Sequence, residues 1–264
     1  MTKLGPIGAA TRSTEPAVFA EVEALGYDTL WLPGELAQVA GAVRATSTIT
    51  VTTGIVSVDQ VPAAEVAAAY TAHGGRYLPG IGGAHGAKPL TTLNAYLDDL
   101  DPVVPASDRI LSALGPKALK LAHDRAFAAY PFLVTPDYVA AAREIAGPDT
   151  DLAVLLMVVP ETDPESAREK ARGGGLRFLS GLPGYAASFR RMGFSDDEIT
   201  GVADRLVDGV TVWGGLDAVT ARLREYQAAG ADQLVVQIDG LPANWRVALA
   251  RAFGNVAAVN GDEH

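Results

Sequence analysis

The stretch Ala24-Leu-Gly-Tyr-Asp-Thr-Leu-Trp31 leads from the end of a helical pattern, through a glycine, into a short apolar run. The stretch Ala228-Ala-Gly-Ala-Asp-Gln-Leu-Val235 makes the same passage near the other end of the sequence. A helix that ends at glycine and is followed at once by a buried strand is typical of repeated strand–helix units. The two stretches therefore suggest one βα module that recurs along the chain.

The units can be counted, because short apolar runs rich in β-branched residues alternate with alanine-rich runs of helical period. Strands are predicted at residues 4–9, 29–32, 48–58, 76–81, 109–114, 128–134, 152–159 and 233–238. This count in 264 residues is typical of a (β/α)8 TIM barrel. A doubly wound α/β fold is the alternative. It usually has fewer strands and a phosphate loop after the first, where this sequence has only Ala9-Ala-Thr-Arg12.

The alternation is interrupted once, between predicted strands seven and eight. Residues 161–215 contain several polar helical pieces and three consecutive glycines at 173–175. We therefore predict a single barrel domain over residues 1–264 with a helical insertion at residues 161–215. The insertion is expected to cover the substrate. Its aromatic and arginine side chains, which are Phe178, Tyr185, Phe189, Arg190 and Arg191, are candidates to line a pocket.

Composition excludes several kinds of site and partner. The sequence has no cysteine, so disulfides and thiolate chemistry are excluded. A formal net charge of −10 argues against nucleic acid as a partner, because that binding depends on neutralising phosphates. No two histidines have the spacing of a zinc-binding helix, so no metal is expected. The first residues do not resemble a leader peptide, and no apolar run reaches about 18 residues. We expect a cytoplasmic protein that acts on a small molecule.

Two glycine-containing loops are candidate ligand sites, because a barrel binds ligands at the carboxyl ends of its strands. Predicted strand four runs into Gly80-Ile-Gly-Gly-Ala-His-Gly86, and predicted strand five into Leu114-Gly-Pro-Lys117. Free backbone amides at a helix start, together with the lysine charge, suit an anion. The glycine spacing does not match a dinucleotide-binding fingerprint. The alternative is that both loops are tight turns and that the lysine side chain is only solvated.

Few side chains at the strand ends are suited to acid–base chemistry. His85 is the only histidine there, Glu35 follows strand two, and Tyr130 lies in predicted strand six. Glu161 and Asp239 are the other candidate carboxylates to pair with Glu35 in glycoside chemistry. Because acids and bases are so few, a bound cofactor that carries the difficult chemistry suits the site better than side chains alone.

Several motifs occur in an order found in one protein family. They are Gly26-Tyr-Asp-Thr-Leu-Trp31, Val51-Thr-Thr-Gly-Ile-Val56, Arg76-Tyr-Leu-Pro-Gly-Ile-Gly82, Leu111-Ser-Ala-Leu-Gly-Pro-Lys117, Tyr130-Pro-Phe-Leu-Val-Thr-Pro136 and Ala229-Gly-Ala-Asp-Gln-Leu-Val235. In this order the sequence resembles the bacterial luciferase-like monooxygenases, and is most similar to their actinobacterial coenzyme F420-dependent oxidoreductases. The resemblance spans most of the chain.

The resemblance implies a luciferase-like TIM barrel that binds the deazaflavin coenzyme F420, or FMN as in relatives, and transfers a hydride to or from a small organic substrate. A bulge with a cis peptide bond is implied at Thr53, Gly54 and Ile55, against the cofactor ring. The implied phosphate-binding residues are Gly82, Gly83, Ala84, His85, Gly115, Pro116 and Lys117. Glu35, His85 and Tyr130 are the candidate acids or bases.

The sequence departs from this family at two positions. Strand two ends in Pro33-Gly-Glu35 without a histidine, and Gly82-Gly-Ala-His85 lacks a hydroxyl before its histidine. These departures keep open a cofactor-free barrel enzyme, such as a lyase, cyclase or isomerase. Side chains such as Leu90 or Phe132 would then fill the space between the two loops. The resemblance also implies a homodimer through the helices beside strands two and three, in which Trp31 or the face of residues 36–43 takes part.

Overall fold

The structure is a computed structural model, which describes residues 3–254. The strands are β1 (Ile7–Ala10), β2 (Thr29–Leu32), β3 (Thr50–Thr53), β4 (Val56–Ser57), β5 (Tyr77–Leu78), β6 (Gly80–Gly82), β7 (Ile110–Leu111), β8 (Ala128–Ala129), β9 (Asp151–Leu156), β10 (Val158–Val159), β11 (Val212–Trp213) and β12 (Gln233–Gln237). The helices are α1 (Pro16–Ala24), α2 (Leu36–Ala45), α3 (Ala63–His73), α4 (Pro89–Leu100), α5 (Pro116–Arg125), α6 (Pro136–Ala146), α7 (Pro164–Ala171), α8 (Arg177–Ser180), α9 (Pro183–Arg191), α10 (Asp196–Gly201), α11 (Asp204–Val210), α12 (Leu216–Ala228) and α13 (Ala243–Phe253).

Ten of these strand segments form a closed barrel of eight parallel strands. β3 and β4 are two halves of the third barrel strand, and β5 and β6 are two halves of the fourth. β3 pairs with β5 and β4 pairs with β6, so these two strands join the ends of the sheet. Around the rest of the wall the order is β6, β7, β8, β9, β12, β1, β2 and β3. The predicted (β/α)8 TIM barrel is therefore confirmed.

The barrel strands are shorter than the sequence predicts. The predicted third strand is interrupted at Gly54 and Ile55, whose peptide bond is cis, as the family resemblance implied. Pro79 divides the fourth strand, and Pro131 follows β8, because proline has no N–H group to donate to a sheet. Beyond Pro79 the chain re-enters the sheet as β6, and beyond Pro131 only an isolated bridge between Phe132 and Leu155 continues the pairing. The ends of strands three to six are therefore loops that surround the barrel mouth.

Trp31 is a large buried side chain in the interior of the barrel. Its indole Nε1 donates to Gln233 Oε1 at 3.0 Å and to Thr29 Oγ1 at 2.9 Å, which satisfies a polar group that is buried with the ring. Gly8 provides the space, because a Cβ there would collide with Thr29 Oγ1 and Trp31. Only 1% of Trp31 is exposed, so this ring cannot take part in a dimer interface, and that part of the prediction is wrong.

Between β10 and β11 lie the helices α7 to α11, and they have a small apolar core of their own. Leu176, Phe189, Phe194 and Leu206 are among its buried side chains. Arg168 ties α7 to α11 through ion pairs with Asp204 and Asp208. This core contacts the barrel through Leu133 and Met157, so α8 and α9 are carried over the carboxyl end of the barrel. Within residues 3–254, no helix is both long and apolar enough to span a membrane.

Candidate functional site

A cavity of about 320 Å³, which we call the mouth cavity, opens at the carboxyl ends of the barrel strands. Trp31, Gly54 and Tyr130 belong to its barrel wall, and α8 and α9 contribute Leu179 and Tyr185. The remaining lining comes from the last residues of strands one, two, seven and eight and from the loops after strands one, two, six and eight, at Ala10, Thr11, Arg12, Leu32, Pro33, Gly34, Phe132, Leu155, Gln237 and Asp239. Side chains from many separate strands thus meet in one place, at the end of the barrel where this fold binds its ligands.

Tyr130 is held rigidly in this cavity. Its ring stacks on Trp31 with centroids 4.2 Å apart and planes 7° apart. The hydroxyl lies against Gly54, where an added Cβ would be 2.7 Å from Tyr130 Oη. Within residues 3–254 this hydroxyl makes no hydrogen bond, although it lines the cavity. Burial, with a smaller contribution from Tyr185, raises the pKa of Tyr130 well above its usual value, so the phenol stays protonated at neutral pH.

Tyr185 brings a second phenol to the mouth cavity. Its ring meets Phe132 edge-on at 6.4 Å and Phe189 at 6.1 Å, and these contacts join the loop after β8 to α9. Burial raises the pKa of Tyr185, so it too remains a hydrogen-bond donor at neutral pH. The mouth cavity therefore offers two neutral phenols to a bound molecule.

A second cavity, of about 570 Å³, lies between the loops after strands four and five, and we call it the phosphate slot. It is lined by Gly82, Gly83, Ala84, Gly115, Pro116 and Lys117, which the sequence analysis had grouped together. From the other side α9 contributes Gly184, Ala187 and Arg191. Gly184 lines the slot and Tyr185 lines the mouth cavity, so the two cavities lie on either side of the start of α9.

The glycines of the slot are required by their surroundings. A Cβ at Gly82 would be 2.7 Å from Ser112 Cβ. A Cβ at Gly83 would be 2.9 Å from Ser57 Oγ, and Gly83 has a φ of 69°, which side chains other than glycine rarely adopt. Gly82 and Gly83 thus let the loop after strand four pack closely against Ser112 and Ser57.

The slot has donors and positive charge for an anion. Within the described part of the chain, Lys117 forms no ion pair, and Arg191 makes only one hydrogen bond, to the Leu114 carbonyl at 3.2 Å. The backbone N–H groups of Gly83 and Ala84 have no partner among residues 3–254. The slot also faces the start of α5, whose dipole favours an anion. Leu90 forms part of the slot wall and does not fill it, and Phe132 lies in the mouth cavity instead.

Two candidate acid–base residues lie outside both cavities. His85 lines neither, its side chain is 67% exposed, and its Nδ1 and backbone N–H both lie 2.9 Å from Asp59 Oδ2. Glu35 precedes the first turn of α2 and lines a separate cavity with Gly34 and Ile55. Both follow strand ends, but their side chains turn away from the mouth. Neither side chain lies beside Tyr130 in the mouth cavity, and their roles as acids or bases stay predictions.

Other predicted residues have different surroundings. Thr53 is fully buried, and its hydroxyl lies 3.2 Å from Tyr77 Oη and accepts from the Gly80 N–H, so it belongs to the barrel wall. Phe178 is 72% exposed, whereas Arg190 is paired with Asp196. Of the insertion residues named from the sequence, Tyr185 and Arg191 line the two cavities. In residues 3–254 no cluster of three His, Cys, Asp or Glu side chains is suited to a metal ion.

The sequence matches no protein-family model and no curated protein. Its fold is nevertheless similar to that of several solved structures. Coenzyme F420-dependent tetrahydromethanopterin reductase from Methanopyrus kandleri is 17% identical, with a TM-score of 0.70 over 94% of this chain and 97% of that one. An F420-dependent secondary alcohol dehydrogenase, in complex with an F420–acetone adduct, is 15% identical, with a TM-score of 0.68 over 92% and 96%.

A third similar structure contains a different cofactor. It is a type II Baeyer–Villiger monooxygenase, the oxygenating constituent of 3,6-diketocamphane monooxygenase from Pseudomonas putida, in complex with FMN. It is 15% identical, with a TM-score of 0.60 over 89% of each chain. These likenesses establish a shared fold over nearly the whole length of this chain.

Proposed function

We propose that the protein is a luciferase-like oxidoreductase that binds coenzyme F420 and transfers a hydride to or from a small organic substrate. The observation that carries this proposal is the phosphate slot, an open glycine-lined cavity with two side-chain cations beside the barrel mouth. The structural likenesses support it, because two of the similar proteins described above are F420-dependent enzymes.

The slot is proposed to hold the phosphate of the cofactor. Lys117 and Arg191 supply charge, and the N–H groups of Gly83 and Ala84 supply directed donors. Hydrogen bonds to a charged group typically contribute about 1.5–3 kcal/mol each, so this set is sufficient for micromolar binding. The local charge is notable in a chain whose formal net charge is −10.

The mouth cavity is proposed to hold the reacting end of the cofactor and the substrate. Gly54 lines this cavity, and its lack of a side chain lets the Tyr130 hydroxyl lie directly against it. When bound, a deazaflavin supplies or accepts the hydride, and the protein positions the partners and handles the proton. The insertion helices α8 and α9 exclude water from this space through Leu179 and Tyr185.

Tyr130 is the residue proposed to handle the proton. Hydride addition to a carbonyl creates an alkoxide, which is more basic than a phenolate, so proton transfer from the Tyr130 hydroxyl is downhill even though burial raises its pKa. After this transfer the Tyr130 phenolate regains a proton from water, which completes the step in the direction of carbonyl reduction. Tyr185 provides a second neutral donor in the same cavity.

FMN is the alternative cofactor, because it also carries a ribityl phosphate and one similar structure contains it. The test is a pair of fluorescence titrations of the purified protein, with oxidised coenzyme F420 and with FMN. Micromolar binding of coenzyme F420 and weaker binding of FMN support the proposal as stated. The reverse preference identifies an FMN enzyme. Absence of binding to either favours a cofactor-free barrel enzyme and refutes the proposal.

A further inference from the structure

The mouth cavity continues into a third cavity, of about 560 Å³, which we call the side cavity. Arg12, Gln237 and Asp239 line both cavities and so mark their boundary. Beyond them the side cavity has both polar and apolar surface, and its apolar side chains are those of Met157, Val158, Val159, Pro160 and Pro242. A molecule that extends from the mouth cavity therefore passes Arg12 and reaches these apolar side chains.

The charged side chains along these two cavities differ in whether they already have partners. Three charged side chains line them, and they are Arg12, Lys170 and Asp239. Asp239 accepts the Thr11 hydroxyl at 2.6 Å and the Arg12 backbone N–H at 2.8 Å. Lys170 is paired with Glu161 at 2.6 Å. The Arg12 guanidinium has no ion pair or hydrogen bond within residues 3–254, so it is the charge left available to a ligand.

The backbone that carries Arg12 is fixed. Thr11 is buried, its N–H donates to the Trp31 carbonyl at 3.0 Å, and its hydroxyl donates to Asp239. Both oxygens of Asp239 are therefore occupied in holding this loop, one by Thr11 and one by the Arg12 N–H. The Arg12 side chain extends from this fixed backbone and is exposed, and the N–H groups of a guanidinium match a carboxylate in pairs.

We propose that Arg12 binds the carboxylate of an organic-acid substrate and that the apolar part of this acid lies in the side cavity. A carboxylate with an apolar body matches one free guanidinium beside these apolar side chains. The inference deepens the proposed function, on which it rests for the reaction at Tyr130. Binding of the acid itself does not require the cofactor, so the two proposals can fail separately.

The test compares carboxylates with uncharged amides of the same carbon skeleton. The probes are butanoate with butanamide and 3-phenylpropanoate with 3-phenylpropanamide, titrated calorimetrically into the cofactor-free protein and into protein saturated with coenzyme F420. We expect at least one carboxylate to bind about tenfold more tightly than its amide, a difference of about 1.4 kcal/mol. We expect Arg12→Gln to abolish this preference. Arg224→Gln is the matched control, because Arg224 is an exposed arginine on α12 that lines neither cavity.

The outcomes separate the two proposals. A carboxylate preference that depends on Arg12, in a protein that does not bind coenzyme F420, supports the acid site and refutes the proposed cofactor. Normal binding of coenzyme F420 without any carboxylate preference, or with a preference that persists in Arg12→Gln, overturns the acid site alone. Failure of every carboxylate to bind also overturns it.

Discussion

The indole of Trp31 and the phenol of Tyr130 stack with their centroids 4.2 Å apart and their planes 7° apart. Trp31 belongs to the second barrel strand, and Tyr130 follows the sixth, so the stack crosses the interior of the barrel. The stack fixes the Tyr130 ring, and the Tyr130 hydroxyl remains at the cavity wall beside Gly54. One residue of the mouth is thereby placed with the precision that a proton donor needs.

Tyr130→Phe should separate the chemical role of the hydroxyl from the structural role of the ring. The stack on Trp31 is retained, so the melting temperature and the affinity for coenzyme F420 should change little. Turnover of a substrate should fall by roughly 100-fold, the low end of what a positioned acid contributes. The measurement is steady-state turnover alongside cofactor titration. Unchanged turnover would show that another group handles the proton.

Gly83→Ala should disrupt the phosphate slot. The new Cβ would come within 2.9 Å of Ser57 Oγ, so the loop that carries Gly83 and Ala84 must shift. We expect the affinity for coenzyme F420 to fall by about tenfold, equivalent to about 1.4 kcal/mol. Gly86→Ala is the control, because Gly86 also has a positive φ but has no atom near its missing Cβ. Equal losses in the two variants would contradict a role specific to Gly83.

Glu23→Gln should lower the free energy of unfolding by an amount that depends on pH. Burial opposes ionisation of Glu23, but bonds from the backbone N–H groups of Ser47, Thr48 and Ile49 prevail and lower its pKa to about 2. Its stabilisation is therefore present above the unfolded pKa, near 4.3, and lost as pH falls toward 2. At pH 7 the free energy of unfolding should drop by about 1–2 kcal/mol. Urea denaturation should show this difference shrinking below pH 4, and a constant difference would contradict it.

Asp151→Asn should increase the free energy of unfolding at neutral pH, whereas Glu23→Gln should decrease it. Burial, with the Asp232 carboxylate adding to it, raises the pKa of Asp151 to about 6. The folded protein then holds this proton more tightly than the unfolded chain, so stability falls as pH rises from about 4 to 6. Above pH 7 the variant should be more stable by on the order of 1 kcal/mol, a value reduced for partial exposure. Near pH 3.5 the two proteins should differ little in chemical denaturation, and a gain that persists there would refute this explanation.

The sequence predicts the barrel because short apolar runs alternate with runs of helical period, which is the pattern of repeated βα units. It also predicts the slot residues Gly83 and Lys117, because strand ends in a parallel barrel meet at one edge. Strand-end position does not determine where a side chain points. Glu35 and His85 follow strand ends, but their side chains turn away from the mouth cavity that Tyr130 lines. Arg191 reaches the slot through the packing of the inserted helices, which local sequence patterns do not encode.

The central claim is that the phosphate slot binds the cofactor, and the most direct test is the affinity for coenzyme F420 of the native protein, Lys117→Ala and Lys120→Ala. Both lysines lie on α5, but only Lys117 lines the slot. The account predicts micromolar binding by the native protein, a loss of about 10- to 100-fold in Lys117→Ala, and near-native affinity in Lys120→Ala. Absence of native binding, or equal affinities in the two variants, would contradict it.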